Sequence, residues 1–239
     1  MRLLIIRHGD PDYARDSLTE KGWREAEHLS QRLVKERLTA VYLSPLGRAQ
    51  DTARPTLEKT GIAATTLDWL REFPRGAKTD YAPEGTCPWN LPPAYWSQFE
   101  GMDDRTAWRQ TAPFADSGVP ELYDEIGRSF DALLEAHGYR RRGAYYEILP
   151  GHEEDRQTVA FFCHLGLGNL LLSHVAGVSL PLWWHRVFLP TSSVTTLFME
   201  KHRPDVNHAI LRMAGIGDTS HLYAAGEPVS HSGLHSPLE

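Results

Sequence analysis

An α/β fold, a three-layer αβα sandwich around a mostly parallel sheet, is what this chain predicts, and two observations carry the prediction. The chain opens on the apolar run Leu3-Leu4-Ile5-Ile6, which reads as a parallel strand covered on both faces. Strand and helix patterns then alternate along the chain, an order that argues for parallel pairing.

Each element has its own signal. Thr19 stands as the N-cap of a helix running to about residue 36, with Trp23, Ala26, Leu29, Leu33 and Val34 at helical spacing. Ala40-Val41-Tyr42-Leu43 is a short strand, and Pro45 suits the turn into a helix from about 47 to 59 that ends at Gly61. Ile62 to Thr66 is the next strand. A helix from about 120 to 137, a turn-rich polar stretch from 138 to 156, a buried strand from Thr158 to Cys163 and a helix from Gly166 to Ala176 follow. Val194 to Met199 and His208 to Met213 close the chain as an antiparallel pair.

Between about 74 and 118 the texture changes. Prolines 74, 83, 88, 92, 93 and 113 mix with Trp89, Tyr95, Trp96, Phe99 and Trp108, and no period holds. Disordered segments are poor in aromatics, so an ordered insertion is expected. It leaves the third strand near the sheet edge where α/β proteins build their sites, and is expected either to cap that site with its aromatics, Arg75 or Lys78, or to pack those aromatics onto the core. The domain is read as 1–224, with 225–239 a flexible tail.

Bulk properties exclude several classes. A net charge of −6 over 239 residues argues against a general nucleic-acid or anionic-membrane surface. Any anion must be drawn by a local cluster of arginines. The two cysteines, Cys87 and Cys163, make neither a disulfide framework nor a zinc site, and no signal peptide or membrane-length apolar run is visible. A cytoplasmic protein is expected. The sequence leaves its oligomeric state open.

The chemistry gathers at strand ends. The first strand finishes in Arg7-His8-Gly9, the second leads through Ser44-Pro45-Leu46 to Arg48, and the strand at 158–163 ends in His164. In a parallel sheet these ends share one edge, where open α/β sheets bind ligands. Two histidines and two arginines there would make an anion clamp with a nucleophile or proton carrier. Taken singly, Arg48 reads as a solvated helix residue and His164 as a satisfied near-core histidine; their common placement favours function.

These motifs resemble the histidine phosphatase superfamily, the phosphoglycerate mutase-like family. The resemblance rests on Arg7-His8-Gly9, Leu18-Thr19-Glu20-Lys21-Gly22 with Ala26, Ser44-Pro45-Leu46-Gly47-Arg48-Ala49 with Thr52-Ala53, and Leu70-Arg71-Glu72. Cys163-His164 with Gly166, and Gly217-Asp218-Thr219-Ser220-His221-Leu222, extend it. The resemblance implies that His8 is the nucleophile, forming a phosphohistidine, and that Glu72 is the general acid/base. It implies that Arg7, Arg48 and a cationic His164 grip the phosphoryl group, so that no metal or other cofactor is required. Asp10 and Asp218 are the next carboxylates in line for the proton, and an exposed Glu72 paired with Arg71 or Arg75 is the bland alternative. The loop after Gly9 lacks the asparagine many relatives use for phosphate, and Tyr13 is a candidate substitute.

The expected function is therefore hydrolysis of a small-molecule phosphate monoester, of the acid-phosphatase-like type. Phosphoglycerate-mutase-like phosphoryl transfer is the alternative, and a non-catalytic phosphate-binding module a more distant one. Gly166-Leu167-Gly168-Asn169-Leu170-Leu171 lacks the third glycine and the later acidic residue of a dinucleotide turn. His231 and His235 have metal-ligand spacing but fall in the tail.

Overall fold

The computed structural model describes residues 1–74 and 78–234. Arg75 and His235, both singled out from the sequence, lie outside the described residues. In chain order the regular elements begin with β1 (Arg2–Arg7), the short strands β2 (Pro11–Asp12) and β3 (Ser17–Leu18), and α1 (Glu20–Leu33). Next come β4 (Ala40–Leu43), α2 (Gly47–Thr60), β5 (Ala64–Thr66), the single turn α3 (Pro93–Trp96) and α4 (Val119–Ala136). The hairpin β6 (Tyr139–Arg142) and β7 (Tyr145–Ile148) leads to β8 (Thr158–Cys163), α5 (Leu165–Ala176) and α6 (Leu180–Trp184). The chain then runs through β9 (Val194–Glu200), β10 (His208–Asp218) and α7 (Ser220–Ala225).

The central sheet is mixed, with order β5-β4-β8-β1-β9-β10-β7-β6. Its first four strands run parallel, and the β9–β10 pair is antiparallel. β1 lies between β8 and β9, and its side chains alternate between two cores. Leu3 and Ile5 join α4, α5 and the insertion on one face. Leu4 and Ile6 join Leu29 and Leu33 of α1 and Ala53 of α2 on the other. Both faces are covered, which is why the opening run is apolar without interruption.

Local chemistry fixes the helix ends. The Thr19 side chain accepts from the Gly22 amide as N-cap of α1, and Gly61 ends α2 in the left-handed region at φ 69°. Gly22 also has to be glycine for packing, since a Cβ there would stand 2.2 Å from the Asp10 carbonyl oxygen. That close approach lays the start of α1 directly on the loop after β1.

Two segments differ from the sequence reading. Residues 139–148 form a hairpin whose strand β6 is Tyr-Arg-Arg-Arg. It is an edge strand, so most of its side chains stay polar and no apolar alternation marks it. Of the segment expected as a tail, residues 225–234 are described and make specific contacts. Glu227 pairs with Arg24, Ser230 is buried with its hydroxyl on the Asp10 carboxylate, and Ser232 reaches Arg7. These are polar and backbone contacts, which hydrophobic pattern does not register.

The insertion belongs to the core. Leu91, Met102, Trp108 and Phe114 are almost completely buried in the α4–α5 face. Trp108 sits edge-on to Phe114 and Tyr123, at 6.0 and 5.5 Å between ring centroids. Trp108→Ala is therefore expected to lower the unfolding free energy of the whole protein by about 3–5 kcal/mol in one cooperative transition. Urea unfolding followed by fluorescence and far-ultraviolet circular dichroism checks this, and non-coincident transitions would show a separately folding lid.

Candidate active site

The parallel registers bring three strand ends side by side. Arg7 pairs with Cys163 and Leu43 with Phe162. The chain stays paired just beyond, where the His8 amide donates to the Cys163 carbonyl and the Ser44 amide to the Phe162 carbonyl. His8, Ser44 and His164 therefore stand together, with Arg48 one helical turn away at the start of α2.

A cavity of about 430 Å³ opens on this edge and is lined by Arg7, His8, Tyr13, Arg48, Glu72 and Phe73, among others. His164 is fully buried and is not part of that wall; its ring lies 5.2 Å from that of His8. The structure thus gathers all five residues singled out from the sequence: His8, Glu72, Arg7, Arg48 and His164.

His8 is oriented by its neighbour. Nδ1 lies 2.7 Å from the Gly9 carbonyl oxygen, an atom that only accepts, so Nδ1 carries the proton and Nε2 is bare. Burial, then Arg7 and then Arg48 hold the imidazole pKa well below its usual value, so it is neutral at ordinary pH.

His164 departs from its expected cationic state. Burial first, and then His8, Arg48 and Arg7, push its pKa well below the usual value. Ser44 Oγ lies 2.7 Å from His164 Nε2 and accepts from the Leu46 amide. A Ser44 hydroxyl that donates to Nε2 would leave Nδ1 as a neutral N–H donor.

The two arginines are anchored with donors to spare. Arg7 donates from Nη1 to the Leu189 carbonyl at 2.6 Å and from Nη2 to the Ser232 carbonyl at 2.8 Å. Arg48 pairs with Asp16, whose other oxygen accepts from the Gly47 amide at 2.8 Å. Asp16 adopts a left-handed conformation, φ 48°, to make that double contact. Arg7 Nε, Arg48 Nε and His164 Nδ1 are all buried without a hydrogen-bond partner among the described residues. Buried donors are normally satisfied. Three orphans clustered at one edge fit a bound anion with several acceptor oxygens.

Glu72 is half-buried and not an exposed partner of Arg71. It accepts from the Gly166 amide at 3.0 Å and the Leu167 amide at 2.9 Å, across the start of α5, and from the Phe73 amide. Packing around it raises its pKa above the ordinary value despite these donors. Neither alternative carboxylate lines the cavity. Asp10 accepts from Thr19 and Ser230, and Asp218 pairs with Arg32 at 2.8 Å. Tyr13 does reach the cavity, with its ring 5.5 Å from the Arg48 guanidinium. Lys78 is exposed and away from it.

Other residues hold this arrangement and gave no sequence signal of their own. The Gly9 amide donates to Thr52 Oγ1 at 2.8 Å, and Thr52 in turn donates to the Arg48 carbonyl. The Ser192 amide donates to the His8 carbonyl, with Ser192 at φ 54° and its hydroxyl against His221. Glu25 is fully buried between the two loops, accepting from the Asp10 amide at 2.9 Å and the Thr191 hydroxyl at 3.0 Å. Only Thr52 and His221 fell inside motifs visible beforehand.

Fold and cavity together define an α/β protein with a histidine–arginine centre on the carboxyl edge of its sheet. The family model of the histidine phosphatase superfamily (branch 1) matches residues 3–210, and the chain belongs to that superfamily. No curated protein matches. Among solved structures, phosphoserine phosphatase from Entamoeba histolytica in complex with 3-phosphoglyceric acid aligns with a TM-score of 0.62. It is 19% identical over 92% of this chain and 98% of that one. The native mycobacterial glucosyl-3-phosphoglycerate phosphatase aligns with a TM-score of 0.57 at 24% identity, over 90% of this chain and 98% of that one. At these identities the likeness is one of fold. No helix among the described residues is long and apolar enough to cross a membrane.

Glu25 yields a measurable consequence. Burial raises its pKa from 4.5 to about 7, against the donors from Thr191 and Asp10 that favour the charged form. The folded state then binds a proton that the unfolded state releases above about 4.5. Stability contributed by this group is fully present below about 4.5 and is lost as pH rises toward about 7, by about 3 kcal/mol. Glu25→Gln, which mimics the protonated acid, should be more stable than the parent at pH 8 and close to it at pH 4.5. Urea unfolding at both values checks this.

Proposed function

We propose that this protein hydrolyses phosphate monoesters of small molecules through a phosphohistidine on His8. The observation that carries the reading is the tautomer of His8, neutral with a bare Nε2, set among three buried N–H donors that lack a partner. A phosphoryl group seated there would receive hydrogen bonds from Arg7, Arg48 and His164 while Nε2 faced its phosphorus. Those donors stabilise charge where it develops in the transition state.

In the first step His8 Nε2 forms a bond to phosphorus as the ester oxygen leaves with the bonding pair. Glu72 gives that oxygen its proton. Its Oε2 accepts one amide and Oε1 two, so the proton rides on Oε2. In the second step a water attacks phosphorus and loses a proton to the Glu72 carboxylate. Phosphate departs and His8 returns to neutral. Fixed guanidinium charge fills the place of a metal in this scheme, so turnover in EDTA is expected. The phosphatases among the similar folds point the same way. Mutase-type transfer between two anionic groups would call for further cations; among the described residues the cavity wall holds Arg7 and Arg48.

His8→Ala should lower phosphate release from an alkyl phosphate by about 10³-fold or more, with no trappable phosphoenzyme. A variant retaining activity within tenfold would overturn the nucleophile assignment. Glu72→Gln should lose about 10²–10⁴-fold on alkyl phosphates and far less on p-nitrophenyl phosphate, whose leaving group needs no proton. The pH profile follows from the same groups. Activity should fall in strong acid as His8 protonates, and fall again as pH rises past the raised pKa of Glu72. A bell-shaped profile results, and Glu72→Gln should remove its alkaline limb.

A further inference from the structure

The walls of the cavity beyond the phosphate clamp differ sharply from the clamp itself. Leu46, Phe73, Trp89 and Leu165 present apolar surface, and Tyr13 adds an exposed ring at the rim. Between them stand Cys87, Asn90, Ser232 and Gly233. Both cations on the wall are already committed, Arg7 to two backbone carbonyls and Arg48 to Asp16. Their spare donors suffice for one phosphoryl group. A carboxylate on the leaving group would find no second cation among the described lining residues. A desolvated anion without a partner there is costly.

Trp89 makes the wall flat and rigid. Its ring lies on the first turn of α5, where a Cβ at Gly166 would come within 2.1 Å of the ring and 2.9 Å of Glu72 Oε1. Glycine at 166 is what lets an indole pack beside the carboxylate. The ring is held from behind by Trp184, edge-on at 5.6 Å, and Trp184 is itself fixed by donating from Nε1 to the Gly166 carbonyl at 2.9 Å. An aromatic face is thus locked next to the group that would protonate the leaving oxygen, where the first atoms of the leaving group must lie.

Resting on the phosphatase reading above, we infer that the substrate is a phosphate monoester whose alcohol is uncharged and carries a flat apolar ring close to the ester oxygen, which stacks on Trp89. Small anionic phosphoesters are poor substrates for the same reason. The cavity volume, about 430 Å³, suits a phosphoryl group with one such ring system.

The test compares kcat/KM for 2-phenylethyl phosphate, propyl phosphate and 3-phosphoglycerate, all alkyl esters whose leaving groups make similar demands on the acid. Stacking and burial of the ring should favour the phenylethyl ester over propyl by roughly tenfold or more. 3-Phosphoglycerate should fall below propyl. In Trp89→Leu the phenylethyl-to-propyl ratio should shrink to within about threefold. A 3-phosphoglycerate value at or above that of the phenylethyl ester would overturn the inference, as would an unchanged ratio in Trp89→Leu. The ordering in the parent protein stands whether or not the variant folds. Propyl phosphate separates the two readings. If it is hydrolysed in a His8-dependent way while the ordering fails, only the substrate class falls. If none of the three is hydrolysed, the phosphatase reading falls and this inference with it.

Discussion

A single short hydrogen bond, from Nδ1 of His8 to the carbonyl of the very next residue, decides which imidazole nitrogen is free to react. Much of the surrounding structure serves to keep that bond and its loop in place. The loop after β1 is pinned from four sides. The Gly9 amide goes to Thr52, the Asp10 amide to Glu25, the Asp10 carboxylate to Thr19 and Ser230, and the His8 carbonyl accepts from Ser192. Four separate parts of the chain supply these partners, so the loop is rigid because the fold around it is.

The electrostatics follow from burial. Arg7 and Arg48 hold positive charge beside two imidazoles in a place where water is scarce. Desolvation and like charge then act in the same direction on His8 and His164, and both stay neutral. For His8 this leaves the Nε2 lone pair unprotonated. For His164 it leaves a donor that adds no further repulsion to the clamp, which the motif-based expectation of a cation missed. The orphaned Nε of each arginine and Nδ1 of His164 are the cost of this arrangement.

The candidate site and the insertion are physically one unit. Trp108 and Phe114 anchor the insertion in the core, while Trp89, a short way along the same segment, faces the cavity. The sequence reading offered packing and capping as alternatives for these aromatics, and the structure distributes them between both. Ser232 and Gly233 complete the wall from the other side, where the Ser232 carbonyl accepts from Arg7.

Sequence alone determined the β1 strand, the starts of α1, α2, α4 and α5, and the identity of the clustered histidines and arginines. Those depend on local signals: period, capping residues, and polar residues at the ends of apolar runs. The order of the sheet, the β6–β7 hairpin and the return of residues 227–233 were decided by tertiary structure. They rest on edge pairing and on backbone carbonyls, which carry no residue code. The same holds inside the site. That Glu72 spans the start of α5, that Asp16 holds Arg48, and that Glu25 is buried under the nucleophile loop all depend on contacts between distant segments. Residue type named the reactive groups; their charge states and tautomers came only from what the fold packs around them, because burial and neighbouring charge set a pKa and neither is written in the motif.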